Sequence, residues 1–348
     1  MARHRVVYRL GVKLHTAPRS AYVHARSAWR GLRRVAGIEA ARLASRRGRA
    51  DLSVFHEFAP PPSGGGNQFL AGLVGELRRR GLAVEVNRIS GGTPVCLFNS
   101  FNFDDRRLRR FARSGCRMVH RVDGPIGVYR GFDDGTDRHI FELNSELAHA
   151  TVFQSRYSLE KHRELGLELR DPVVIPNAPD PAVFNADGRV GLSAEEPVRL
   201  ITTSWSDNPR KGADVIAKLE RELDPARFRL TFVGRSPVAF ERARIVPPVP
   251  STEVARLLRE HHVFVFASLN EACSNSLLEA LACGLPALYV DSGSNAEVVG
   301  GGGLPFQDAA DAAARLDELV ERWAELRAAI RVPSLVETAD RYLEALRP

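Results

Sequence analysis

The stretch "HVFVFASLNEACSNSLLEALACGLPALYVDS", residues 262–292, decides how the chain is built. It opens on a short apolar run, Val263 to Phe266, and closes on another, Ala287 to Val290. Between them "SNSLLEALAC" carries helix-favouring residues and is stopped by Gly284, with Pro286 just beyond. A strand, a helix and a second strand in that order form the crossover unit of a parallel sheet. In open sheets of this type, ligands bind beyond the carboxyl ends of the strands. The loop "SLNEACS" after the first strand is therefore where chemistry is expected.

Two carboxylates bracket that position. Glu271 falls on the loop and Glu279 about one turn inside the helix, so they do not stack on one face. Cys273, Ser274, Asn275 and Ser276 occupy the expected helix start, where unpaired N–H groups and the helix dipole favour an anion such as phosphate. Carboxylates on either side of a phosphate site suit sugar hydroxyls on one side and a ribose on the other. A local reading competes: Ser276 followed three residues later by Glu279 is a capping-box pattern, and Glu271 alone is an ordinary loop acid.

The same alternation extends through most of the chain. Strand candidates are "LSVFHEF" (52–58), "LAVEVNRI" (82–89), "PVCLFNS" (94–100), "CRMVHRVD" (116–123), "ATVFQS" (150–155), "DPVVIPNA" (171–178), "VRLITTSW" (198–205) and "RFRLTFVGR" (227–235). Helix candidates such as "NQFLAGLVGELRRRG", "TDRHIFELNSELAHA", "GADVIAKLERELD" and "TEVARLLREHH" lie between them. Near-continuous apolar strands are expected where both faces of a parallel sheet are covered, so the fold class is α/β. "IPNAPDPAVFNADGRVGLSAEEP", 175–197, is rich in Pro, Asn, Asp and Gly and reads as an interdomain connection. The expected domains are a Rossmann-like one over 51–180, a second over 190–330 and an amphipathic helix over 331–348.

Charge separates off a further segment. The 348-residue chain has net charge +7, yet residues 1–50 hold twelve Arg, one Lys and only Glu39 as an acid, leaving the rest at about −5. Tyr22, Ala25, Trp29, Leu32, Ala36 and Leu43 recur at helical spacing beside Arg26, Arg30, Arg33 and Arg34. Such a basic amphipathic extension suits an anionic membrane surface, here residues 1–48, or packs on the domain as an Arg-rich arm. No nucleic-acid-binding motif accompanies the charge. Cys96, Cys116, Cys273 and Cys283 form no CxxC pair, and no run approaches the length of a membrane span. A cytoplasmic protein, or one peripheral on the inner membrane face, is expected.

Several segments taken together resemble the GT-B glycosyltransferases of the family 4, group 1 kind. They are the E-x7-E spacing of Glu271 and Glu279, "PPPSGGGNQFLAGLVGELRRRG", "VIPNAPDPAVF", "NPRKGADVIAKL" and "NAEVVGGGGLPF". The resemblance covers about residues 52–345 and implies two Rossmann-like domains facing a cleft, with transfer of a sugar from a nucleotide-sugar to a glycan or lipid-linked acceptor. It implies that Glu271 holds donor-sugar hydroxyls and Glu279 the ribose. Lys211, with Arg210, would neutralise the diphosphate; Lys211 is one of four lysines against forty-five arginines. Cys273, Ser274, Asn275, Ser276, Gly234 and Arg235 complete the implied donor side, and Gly64, Gly65 and Gly66 form a glycine loop near phosphate or acceptor. His120 is implied as a cleft histidine contacting the transferred sugar, with Asp123 orienting it or serving the acceptor; a structural His and a turn-forming Asp are the local alternatives.

One departure stands against the pattern. Where the family has Gly-Arg before the R-K-G turn, this chain has Ser204 and Trp205, so Arg210 or Arg235 has to supply the missing charge. No DxD triplet in a strand-end loop is present, and no cofactor or metal is expected. The resemblance implies a retaining outcome. A catalytically silent binding module of the same fold, or a nucleotide-sugar epimerase, is the alternative.

Overall fold

The computed structural model describes residues 50–347, apart from 57, 59–64, 89, 91 and 100–104. The basic extension through residue 49 and Gly64 lie outside the described residues. The first half runs β1 (Leu52–Phe55), α1 (Gly65–Arg79), β2 (Val84–Val86), β3 (Val95–Asn99), α2 (Asp105–Ala112), β4 (Arg117–Val122), α3 (Ile126–Arg130), α4 (Thr136–Leu147), β5 (Ala150–Phe153), α5 (Arg156–Glu164) and β6 (Pro172–Val174). The second runs β7 (Val198–Ser204), α6 (Ala213–Glu222), β8 (Phe228–Gly234), β9 (Arg244–Val246), α7 (Ser251–Arg259), β10 (Val263–Phe266), α8 (Asn275–Ala282), β11 (Ala287–Val290), α9 (Asn295–Val299) and β12 (Gly303–Phe306). Three helices follow: α10 (Ala309–Glu321), α11 (Trp323–Ala328) and α12 (Leu335–Leu346).

The strands form two six-stranded sheets, ordered β2-β1-β3-β4-β5-β6 and β12-β11-β10-β7-β8-β9. Each recorded pairing is parallel, as the apolar strand pattern requires. In each sheet the order reverses once, between β1 and β3 and between β7 and β10. Those reversals open the crevices in which α/β sheets hold ligands.

Strand parity distributes the core. In β10, Val263 and Val265 enter a cluster with Ile216, Leu219 and Leu316 on one face. Phe264 and Phe266 enter another with Val254, Leu258, Leu277 and Leu281 on the opposite face. Four consecutive buried residues thus serve two layers, each fully buried side chain contributing about 2 kcal/mol. The edge strand β12 contains Pro305, which a central position would not tolerate.

The last helix does not stay with the second sheet. Leu335, Ala339, Tyr342 and Leu346, at steps of four, three and four, pack into the first sheet's core beside Phe69, Leu73 and Leu77. Arg80 from the end of α1 fixes the seam, donating to Asp340 at 2.5 Å and to the Val336 carbonyl at 2.6 Å. Among the described residues, no helix is long and apolar enough to cross a membrane.

Candidate active site

The crevice of the second sheet lies between β7 and β10, and each strand sends one functional side chain into it. After β7 the chain makes a single 3-10 turn, Pro209–Lys211, in which the Asn208 side chain accepts from the Arg210 N–H at 3.0 Å. The turn closes on Gly212 at φ +71°, and a Cβ there would lie 2.6 Å from that of Ala267 at the end of β10. Only glycine lets the two strand ends meet so closely. The Leu269 N–H then donates to the Arg210 carbonyl at 2.8 Å, tying the loops together. This explains the glycine of the R-K-G sequence: it brings Lys211 to Glu271.

The result is a salt bridge of 2.5 Å between Lys211 Nζ and Glu271 Oε1. The same Glu271 oxygen accepts from Ser268 Oγ at 2.5 Å. Glu271 is positioned from behind by the loop after β11, where Ser294 N–H donates to the Glu271 carbonyl at 2.9 Å. Gly293, at φ +64°, presses its backbone there; a Cβ would come 2.6 Å from the Glu271 nitrogen. Asn295 holds the Ser268 carbonyl at 3.0 Å. Burial acts to lower the Lys211 pKa, but the Glu271 carboxylate and Tyr129 outweigh it and hold the ammonium above its ordinary value.

Beyond Glu271 the chain enters α8. Its N-cap is Ser274, whose hydroxyl accepts from the Leu277 N–H. Ser276 lies inside the helix with its Oγ 3.0 Å from that of Ser274, so the Ser276–Glu279 capping box does not form. Glu279 is half-buried, its carboxylate has no hydrogen-bond or ion-pair partner among the described residues, and burial pushes that carboxyl up to about 8. The Cys273 thiol is buried and pushed up to about 12, so this residue offers its backbone rather than a thiolate. Asn275 Oδ1 is already taken by Asn177 Nδ2 at 2.9 Å, an amide from the segment after β6.

The departure at Ser204-Trp205 has a packing reason. Trp205 lies against the apolar cluster of Phe184, Val254 and Phe266, while Ser204 Oγ donates to the Ser206 carbonyl. Gly234 at φ +121° ends β8 against the Ser204 backbone, where a Cβ would lie 2.7 Å from the carbonyl carbon. Arg235 follows, its N–H bonded to the Ser204 carbonyl at 2.8 Å and its side chain exposed. Arg210 turns instead toward the first sheet's half: a Cβ on Gly131 would fall 2.8 Å from its Nε.

The first half supplies a different set of groups from the one expected. His120 is a core residue, 0% exposed, stacked on Phe98 at 4.2 Å and hydrogen-bonded through Nδ1 to Asn144 Nδ2 at 3.1 Å. Burial drives its pKa down to about 3. The expectation that it contacts a sugar in the cleft is therefore corrected: β4 runs on to Val122, and alternation turns His120 to the packed face. The next residue, Arg121, faces the other way and was not anticipated. Its guanidinium is fully buried, bonded to Asn99 Oδ1 at 2.6 Å and Asn177 Oδ1 at 2.8 Å, over the Phe69 ring. Asp123 does not orient His120; it pairs with Arg121 at 3.3 Å and accepts from Gln154. His56, after β1, is the half-buried histidine of this edge, its pKa lowered to about 4 by burial and then by Arg121. A charged residue inside an apolar strand, with Asn99 at the end of the neighbouring β3 and Asn177 in the segment after β6, was the available signal for this network.

Gly65 and Gly66 open α1, and a Cβ on Gly66 would meet nothing within 4 Å. A separate cavity of about 540 Å³, lined by Leu223, Phe228, Arg229, Arg242 and Arg244 among others, lies around the start of β8, away from the β7–β10 crevice. It is not the site described here.

Residues 197–322 match the family model for group 1 glycosyl transferases. No protein of curated function matches the chain by sequence. Sucrose-phosphate synthase from Thermosynechococcus elongatus is 17% identical with a TM-score of 0.64, covering 86% of this chain and 95% of that one. Anabaena HepE, solved with UDP and glucose, is 14% identical with a TM-score of 0.64, covering 86% and 99%. The catalytic domain of starch synthase IV from Arabidopsis thaliana, solved with ADP and acarbose, is 12% identical with a TM-score of 0.63, covering 86% and 99%. At such identities these likenesses speak for the fold. Residues 197–322 thus match group 1 glycosyl transferases, and the two parallel six-stranded sheets have the GT-B fold of these solved structures.

Proposed function

We propose that the protein transfers a sugar from a nucleotide-sugar donor to a glycan or lipid-linked acceptor. The observation that carries the reading is the Lys211–Glu271 pair at the β7–β10 crevice, just ahead of the α8 N-terminus. HepE with UDP and starch synthase IV with ADP and acarbose support the donor and acceptor classes.

In this reading the donor diphosphate takes the Lys211 ammonium, the Arg210 guanidinium and the free N–H groups of α8. Glu271, released from Lys211, accepts hydroxyls of the donor sugar, and Glu279 meets the ribose diol. The bond from the anomeric carbon to the diphosphate oxygen breaks as the acceptor oxygen bonds to that carbon. The acceptor proton leaves on the departing diphosphate. Charge builds on the diphosphate, where fixed cations stabilise it most, so the step proceeds without a metal. A same-face approach, retaining configuration, follows from the family resemblance. Gly66 leaves open space on the acceptor side, and His56 with Asp123 takes the place first given to His120.

Incubation with UDP-, GDP- and ADP-sugars tests this: at least one should release free nucleotide at a rate that rises when acceptor is added. Release from none would overturn the reading and leave a silent GT-B binding module. The basic segment is proposed to bring the enzyme to an anionic membrane surface. Deleting residues 1–48 should abolish sedimentation with phosphatidylglycerol vesicles, and unchanged sedimentation would remove that role.

A further inference from the structure

The segment 124–137 of the first half lies directly over the Lys211–Glu271 pair. A Cβ on Gly124 would come 3.1 Å from the Ala272 Cβ, next to Glu271. Seven residues on, Gly131 at φ +82° meets the Arg210 guanidinium, and a side chain there would strain the backbone and displace that guanidinium. Between them α3 presents Tyr129, and Lys211 Nζ lies 5.4 Å from the centre of its ring. That is within cation–π range for a half-buried ammonium.

This cover is braced. The Asp137 carboxylate accepts from the Ile126 and Gly127 N–H groups at 2.6 and 2.8 Å, fixing the start of α3. The Gly131 N–H closes its end on the Gly127 carbonyl at 2.8 Å. Arg130 pairs with Asp134 at 2.7 Å, and the Asp133 and Asp134 carboxylates cap the Gly135 and Thr136 N–H groups. A five-residue helix stapled at both ends holds one aromatic ring in place. Tyr129 is half-buried and faces the crevice cation with its ring, and its hydroxyl also reaches the Lys211 ammonium.

We infer that Tyr129 is a positioning residue for Lys211: its ring seats the ammonium beside Glu271 when the two halves close, so that the cation meets the diphosphate already oriented. The kinetic consequence rests on the proposed transferase function, whereas the pairing itself does not. Tyr129 acts through Lys211, and the backbone of Gly131 does the same for Arg210. The diphosphate can then bind without the ring, but the leaving group is no longer held in line as charge develops.

Two measurements decide it. In a thermal-unfolding cycle, Tyr129→Leu and Lys211→Met should each lower Tm, and the double variant should lower it no further than the larger single change. Additive shifts would overturn the pairing, with or without a known donor. On UDP-glucose, GDP-mannose or ADP-glucose, whichever wild type turns over, Tyr129→Leu should cut kcat by about tenfold or more with donor KM within about threefold. Tyr129→Phe, which keeps the ring, should restore kcat to within about threefold of wild type. Wild-type kcat in Tyr129→Leu, or a matching loss in Tyr129→Phe, would sink the positioning role. Absence of turnover in wild type would sink the transferase reading and leave the cycle to judge the pairing.

Discussion

Changing Glu271 to Gln or Lys211 to Ala should lower turnover by about 10²–10⁴-fold while leaving Tm within several degrees of wild type. The two side chains are each other's partners at 2.5 Å, and neither belongs to the apolar clusters that hold the sheets. Lys211→Ala removes the ammonium that, in the proposed transfer, faces the departing diphosphate, and it leaves the Glu271 carboxylate with Ser268 alone. A half-buried carboxylate that loses its cation costs about 1–3 kcal/mol, which a chain of this size tolerates. Glu271→Gln keeps the shape and one acceptor but loses the charge. Initial-rate assays alongside thermal unfolding check this. Either variant keeping more than a tenth of wild-type turnover would remove these residues from the chemistry.

The second large effect is a pH dependence centred on Glu279. In the fold burial pushes its carboxyl from the ordinary 4.5 up to about 8, and no cation among the described residues compensates. Between those pH values the folded protein keeps a proton that the unfolded chain has released. Stability therefore falls as pH rises from about 4.5 to about 8 and is flat above that, the reverse of a salt-bridged acid. For a side chain half-buried rather than enclosed, the loss is about 2–4 kcal/mol across the window. Glu279→Gln should flatten that part of the profile and be more stable than wild type at pH 8. Denaturant unfolding at pH 5, 6.5 and 8 reads it directly, and parallel profiles for the two proteins would refute the assignment. Such a group suits a ribose diol, which supplies the polar partners that the protein itself withholds.

Much of the fold was legible because it is written locally. Apolar runs such as "VFVF" and "LITTS" are continuous where a parallel strand is covered on both faces. Strands β9 and β12 escaped notice because they are short edge strands, "RIV" and "GLPF", the latter with a Gly and a Pro where strand-forming residues are expected. The proximity of Lys211 and Glu271, the proposed donor side, was legible for the same local reason: Gly212 and Glu271 lie on loops fixed by adjacent strand ends.

The other side of the cleft was not legible, and parity explains it. "MVHRVD" contains one histidine, and the family resemblance drew attention to it. Alternation along the strand turns His120 against Phe98 and sends Arg121 to the opposite face, where it is buried over Phe69 and pairs with Asp123. Tyr129 was invisible in the sequence because its partner lies 82 positions later, across the interface of two sheets. Contacts of that kind follow from the closure of the two halves and have no periodic signature.

The central claim is that the Lys211–Glu271 pair marks the donor site, and calorimetric titration with UDP, GDP and ADP tests it most directly. Wild type should bind at least one of them, and Lys211→Ala should weaken that binding by about tenfold or more, as loss of a diphosphate contact requires. Equal affinity in the two proteins would place the nucleotide elsewhere and contradict the account.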